Sequence, residues 1–88
     1  MKRSFFEIIA EILRVAKNGA KKTRIMYSCN LSFHMNKNLI AYLLENDLLK
    51  IGNSLHTTDK GLEFLRIYQT LELLLDTKVQ TGIKNREG

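Results

Sequence analysis

"KTRIMYSCNLSFHMNKNLIAYLLENDLLKIGNSLHTT", residues 22–58, changes its hydrophobic period once and pauses twice, and the architecture follows from where it does so. A short helix fits Lys22–Cys29, with Thr23 near its start and Ile25 and Met26 turned inward. Asn30 follows, a residue that tolerates the left-handed conformation in which many helices end. Ser32 is a good N-cap for a longer helix over Phe33–Asn46, whose inward stripe reads as Met35, Leu39 and Leu43 with Ile40 and Leu44 on its flanks. Two helices separated by so few residues cannot lie parallel and must cross steeply. The period then drops to two. Leu48–Ile51 and Ser54–Thr57 read as short strands joined at Gly52-Asn53, where both residues accept positive φ, which makes a β-hairpin.

On either side of this segment the helical period returns. Phe5, Ile8, Ile9, Ile12, Leu13 and Ala16 mark a first helix over about Ser4–Lys17, ended by Asn18-Gly19. Thr57 or Thr58 caps a last helix over about Asp59–Thr81, roughly 34 Å long and longer than a small core can cover. Within it Phe64, Tyr68, Leu71 and Leu75 repeat at 4, 3 and 4 spacing, a coiled-coil seam, while Leu65, Ile67 and Leu74 widen the apolar surface towards the first helix. One side of this helix is expected to pack the monomer and the other a symmetry mate in an isologous two-fold interface. The expected organisation is residues 1–58 as the head, 59–81 as a coiled-coil helix of the same domain and 82–88 as a frayed tail.

Size and charge limit the function. With 88 residues the chain has room for one small domain that buries about 60–65% of its unfolded surface. The single cysteine, Cys29, excludes an intramolecular disulfide, so self-association is the expected source of added stability. Cysteine poverty and a charged N-terminal segment lacking an apolar leader core fit a cytoplasmic protein, and no apolar run approaches the ~20 residues that span a bilayer. Residues 1–37 hold eight basic and two acidic side chains, whereas residues 38–88 hold six basic and seven acidic. The positive field therefore belongs to the N-terminal half, where it attracts a polyanion such as nucleic acid.

Helix, helix, turn, helix, hairpin, helix is the order of a winged helix-turn-helix, a mainly α fold with a small β-hairpin. "GAKKTRIMYSCNLSF" (19–33), "LIAYLLENDLL" (39–49) and "LHTTDKGLEFLRIYQTLELL" (55–74) resemble the small archaeal winged-helix DNA-binding proteins of about 10 kDa. The resemblance covers most of the chain, and the run from Lys22 to Ser32 is its most specific part. It implies an antiparallel coiled coil of C-terminal helices in a homodimer, a role on double-stranded DNA that includes abundant chromatin proteins, and hence a nucleoid-associated location. The chain departs from that group where Asn46 or Asp47 stands in place of a frequent glycine, and in a shorter wing.

In a helix-turn-helix the N-terminal part of the second motif helix enters the major groove and the first crosses the phosphates. With Met35, Leu39 and Leu43 inward, Phe33, His34, Asn36, Lys37 and Asn38 occupy the exposed arc and are the expected groove readers. Asn36 or Asn38 can pair with adenine and Lys37 with guanine or phosphate, while Ser32 donates to phosphate. Lys21, Lys22, Thr23 and Arg24 are placed for phosphates. Tyr27 reads equally as a backbone contact or a half-buried tyrosine, and Phe33 as a core staple or a stacking group. On the hairpin Lys50 and Asn53 are candidate contacts to the adjacent groove, and Ser54 and His56 weaker ones. Cys29, His34 and His56 match no zinc spacing, nothing is placed to activate Cys29, and the glycines form no phosphate loop. No catalysis, metal, cofactor or small-molecule substrate is expected. The alternative function is a protein-interaction module that docks a partner on the last helix without touching nucleic acid.

Overall fold

The computed structural model describes residues 3–75, and the expected C-terminal part of the last helix (76–81), the tail (82–88) and Lys2 lie outside them. Four helices and one two-stranded antiparallel sheet follow in the expected order: α1 (Phe5–Val15), a 3-10 turn (Ala16–Asn18), α2 (Lys22–Ser28), α3 (Phe33–Glu45), β1 (Leu49–Ile51), β2 (Leu55–Thr57) and α4 (Asp59–Leu75).

Local chemistry accounts for most of the ends. Ser4 and Glu7 close a reciprocal capping box at the start of α1, the serine hydroxyl accepting from Glu7 N and the carboxylate accepting from Ser4 N. Ser32 caps α3 by accepting from Met35 N at 3.1 Å, and Thr58, rather than Thr57, caps α4 by accepting from Gly61 N at 3.0 Å. Asn30 takes the left-handed conformation at φ 55° and turns the chain from α2 into α3. Asp47 does the same at φ 58° after α3, at the place where the resemblance leads one to look for glycine.

The core gathers Ile9, Ile12 and Leu13 of α1, Ile25 of α2, Ile40 and Leu43 of α3, and Leu49 and Leu55 of the hairpin, with Cys29 and Leu31 filling the turn between α2 and α3. Burial, with Glu11 nearby, pushes the Cys29 thiol above its usual range. Arg3 locks the turn from outside: its guanidinium pairs with Glu11 and donates to the Cys29 carbonyl oxygen at 2.7 Å.

Two features of the wing differ from the sequence reading. The strands end at the Ile51–Leu55 pair, so the loop has three residues, Gly52 to Ser54, instead of two. Positive φ among glycines occurs at Gly19 alone of the described residues, and neither Gly52 nor Asn53 adopts it. Gly52 N donates to Ser54 O at 2.8 Å, which closes the loop without a left-handed residue. The hairpin also gains a third partner that periodicity did not show: Ala20 exchanges both backbone hydrogen bonds with Leu55, each at 2.9 Å. Gly19 makes this approach possible, since its φ is 97° and a Cβ there would stand 2.8 Å from His56 Cε1.

α4 crosses the hairpin at Gly61 and runs along α1. Phe64 and Leu65 pack on the core. Ile67 and Leu74, expected to extend that cover over α1, are 48% and 74% exposed.

Candidate nucleic-acid interface

Between Glu11 and Glu45 the chain contains no acidic residue, and α2 and most of α3 lie inside this interval. Among the described residues none of their lysines or arginines forms an ion pair with a carboxylate. Lys21, Lys22, Thr23 and Arg24 are all exposed at the start of α2. On α3, Ser32, Phe33, His34, Lys37 and Asn38 are exposed as well. The Ser32 hydroxyl oxygen accepts the capping bond, which leaves its proton free to donate outward. Asn38 Nδ2 lies 3.1 Å from His34 Nε2, so this i, i+4 pair is linked on the open face.

The structure overturns one reader. Asn36 is buried at 5% exposure, and its Nδ2 donates to the Lys22 carbonyl oxygen at 3.1 Å. It holds α3 against the first turn of α2 and cannot face a groove. Met35, expected inside, is 41% exposed instead. The inward stripe of α3 is Asn36, Ile40 and Leu43, one residue on from the expected phase at its N-terminal end. Leu39, Ile40, Leu43 and Leu44 are compatible with either phase, so the choice rested on reading methionine as inner and asparagine as outer. The buried amide defeats that choice by satisfying a backbone carbonyl.

Phe33 and Tyr27 are both open, at 74% and 78% exposure, which rejects the core staple and the half-buried tyrosine. Lys22, Thr23, Phe33 and Lys37 border one cleft between α2 and α3, so the phosphate set and part of the groove set form a continuous surface. The hairpin contributes exposed Lys50, Ile51 and Asn53, while His56 is half-buried beside Gly19.

A second surface lies on α4. Phe64, Tyr68 and Leu71 of the seam border a hollow of about 280 Å³ with Ile67 and with Phe6 of α1. Phe64 and Tyr68 stack with centroids 6.2 Å apart, Phe6 lies 6.4 Å from Phe64, and Phe5 bridges from Phe6 to Tyr42 at 5.6 Å on each side. Leu71 and Leu75 are 50% and 69% exposed. Partial burial, with Glu7 and Glu72 nearby, pushes the Tyr68 phenol up. Phe6 and Tyr42 were absent from the sequence-derived seam because they belong to other helices, and only the tertiary fold brings Phe6 to Phe64 of α4 and Tyr42 to Phe5. Among the described residues no helix is long and apolar enough to cross a membrane.

Comparison with known proteins places this geometry. Residues 2–76 match the winged helix-turn-helix family. An uncharacterized protein of the archaeon Methanocaldococcus jannaschii is 43% identical over 63 residues, which is 69% of this chain and 30% of the relative. A second uncharacterized protein of that organism is 36% identical over 76 residues, 83% of this chain and 78% of the relative. The chain thus spans less than a third of the first relative's length and most of the second's.

Proposed function

The chain belongs to the winged helix-turn-helix family, and from that premise we propose that it binds double-stranded DNA as a homodimer, with α3 in the major groove and the start of α2 on the phosphates, as a chromatin-type architectural protein or a transcriptional regulator. The observation that carries this reading is the surface formed by α2 and the N-terminal half of α3, whose residues 21–38 include no acid and where Lys21, Lys22, Arg24 and Lys37 are all exposed. If each neutralises one phosphate in both protomers, log affinity falls against log salt with a slope of roughly −7. His34, Lys37 and Asn38 supply base contacts, Phe33 a stacking or apolar one, and Lys50 and Asn53 of the short wing touch the flanking backbone. With Asn36 held in the core, the base-reading set is smaller than the asparagine-rich sequence implied.

The open seam on α4, enlarged by Phe6, supports dimerisation through Phe64, Tyr68, Leu71 and Leu75. An antiparallel pairing that sets the two α3 helices about 34 Å apart lets both enter successive major grooves on one face of the duplex.

The test is a titration against one random-sequence duplex and against fragmented genomic DNA, with recovery of the bound fraction, at two salt concentrations. Equal and steeply salt-dependent binding identifies an architectural protein, and enrichment of a short palindrome identifies a regulator. Absence of binding at low salt overturns the DNA reading and leaves a protein-interaction module built on α4.

A further inference from the structure

The cleft between α2 and α3 has a volume of about 450 Å³, within the range of small-molecule sites. Met26, Phe33, Ile40 and Leu44 give it apolar walls, and Lys22 and Lys37 stand on its rim. Among the described residues no carboxylate borders it, so the two ammonium groups face a site without a counter-ion from them. Asn36 forms part of the lining, and its Oδ1, shut off from solvent, has no hydrogen-bond partner among the described residues. A buried acceptor left unpaired is costly, and such atoms mark places where a structure is completed by something else. Phe33, mostly exposed, presents an aromatic face beside both cations, an arrangement that core packing does not require.

We propose that this cleft binds a small aromatic carboxylate, and that the bound molecule competes with DNA. The ring lies against Phe33, Met26 and Leu44, where it removes apolar surface from water. The carboxylate sits between the Lys22 and Lys37 ammonium groups, which are free to converge on it from two helices. A donor on the ring reaches Asn36 Oδ1 after a small outward movement of the rim. The competition follows from shared groups and rests on the DNA reading above: Lys22, Lys37 and Phe33 cannot pair with a ligand and with a duplex at once, so each ligand weakens the other's binding.

The experiment is an amide chemical-shift titration of the full chain with 6-hydroxy-2-naphthoate, whose phenol is the ring donor, and with 6-(hydroxymethyl)-2-naphthol as its neutral counterpart. Saturable shifts are expected at Lys22, Met26, Phe33, Lys37 and Ala41, with the carboxylate binding about tenfold more tightly than the alcohol. Lys22→Gln with Lys37→Gln should abolish that tenfold difference. Ala41→Phe, at an exposed position on the cleft wall, should fill the cavity and remove both ligands while the spectrum stays dispersed. At constant ionic strength, naphthoate at ten times its Kd should raise the apparent Kd for a duplex about elevenfold per cleft, hence about 120-fold for a dimer that uses both, and should not do so in Ala41→Phe. Shifts confined to Phe6, Phe64 and Tyr68, or no saturation, would overturn the site. Shifts in the cleft with unchanged DNA affinity would overturn the competition. Shifts in the cleft from a protein that binds no duplex at low salt would overturn the DNA reading and leave the carboxylate site standing.

Discussion

Replacing Gly61 by alanine tests the joint between the hairpin and α4. An ideal Cβ at this position lies 2.5 Å from the Leu48 carbonyl oxygen and 2.5 Å from Thr57 Cγ2, short of the ordinary contact distance of 3.4 Å by 0.9 Å. Neither obstacle is the free end of a flexible side chain. Leu48 O accepts from Thr58 N at 3.1 Å, and the buried Thr57 is anchored by its hydroxyl, which donates to Leu13 O at 2.6 Å. Alanine gains about 1 kcal/mol over glycine from helix propensity. Forcing a methyl into a packed contact costs about 1–3 kcal/mol, and more where the neighbours are rigid. Both neighbours here are rigid, so the net expectation is a destabilisation of about 2 kcal/mol. For a domain of this size that lowers Tm by about 8–16 °C. Gly52→Ala is the control, since its nearest neighbour to a new Cβ stands at 3.8 Å and the expected change is within about 0.5 kcal/mol. Circular dichroism melts of both variants, at one protein concentration because self-association shifts Tm, decide the matter. Gly61→Ala melting at or above the parent would refute the reasoning, for it would mean that α4 slides to admit the methyl.

Four further outcomes are expected. Asn36→Ala should cost about 1–3 kcal/mol in urea denaturation and leave base preference unchanged, whereas Asn38→Ala should leave stability within about 0.5 kcal/mol and alter preference among selected duplexes. Lys22→Ala with Arg24→Ala should weaken binding to all sequences and reduce the salt slope by about one unit per lost contact, and a slope equal to the parent's would remove both residues from the phosphate set. Under the proposed pairing through α4 the parent chain should sediment as a dimer and Leu71→Glu as a monomer, and equal sedimentation coefficients for the two would overturn pairing through Leu71. Because burial raises the folded-state pKa of Cys29, its thiol should resist Ellman's reagent in the folded chain, and its contribution to stability should be constant below about pH 8.5 and fall as pH rises beyond it. A Cys29→Ala variant should lose the dependence that begins there and keep the one that Tyr68, also raised, adds above about pH 10.

Features that depend on neighbours a few residues away are readable from the chain alone. The order of elements, the capping Ser32 and the left-handed Asn30 are set by hydrogen bonds and periodicities that span one or two turns, the basic character of residues 21–24 is their composition, and each can be read without knowing the rest of the chain. The candidate phosphate set was legible for the same reason, since a lysine or arginine at the start of a short helix is exposed in nearly any packing. Tertiary structure decided what depends on residues far apart. The phase of α3 was settled by a hydrogen bond from Asn36 to Lys22, 14 positions away, and this withdrew one expected groove reader. The loop after β1 was settled by the register with β2 and by the Ala20–Leu55 exchange. The aromatic group formed by Phe5, Phe6, Tyr42, Phe64 and Tyr68 draws on three helices. Amphipathic periodicity says that a face will be covered, but the identity of its cover, and of the polar group admitted beneath it, depends on shape and on unmet backbone acceptors that exist only once the chain has folded.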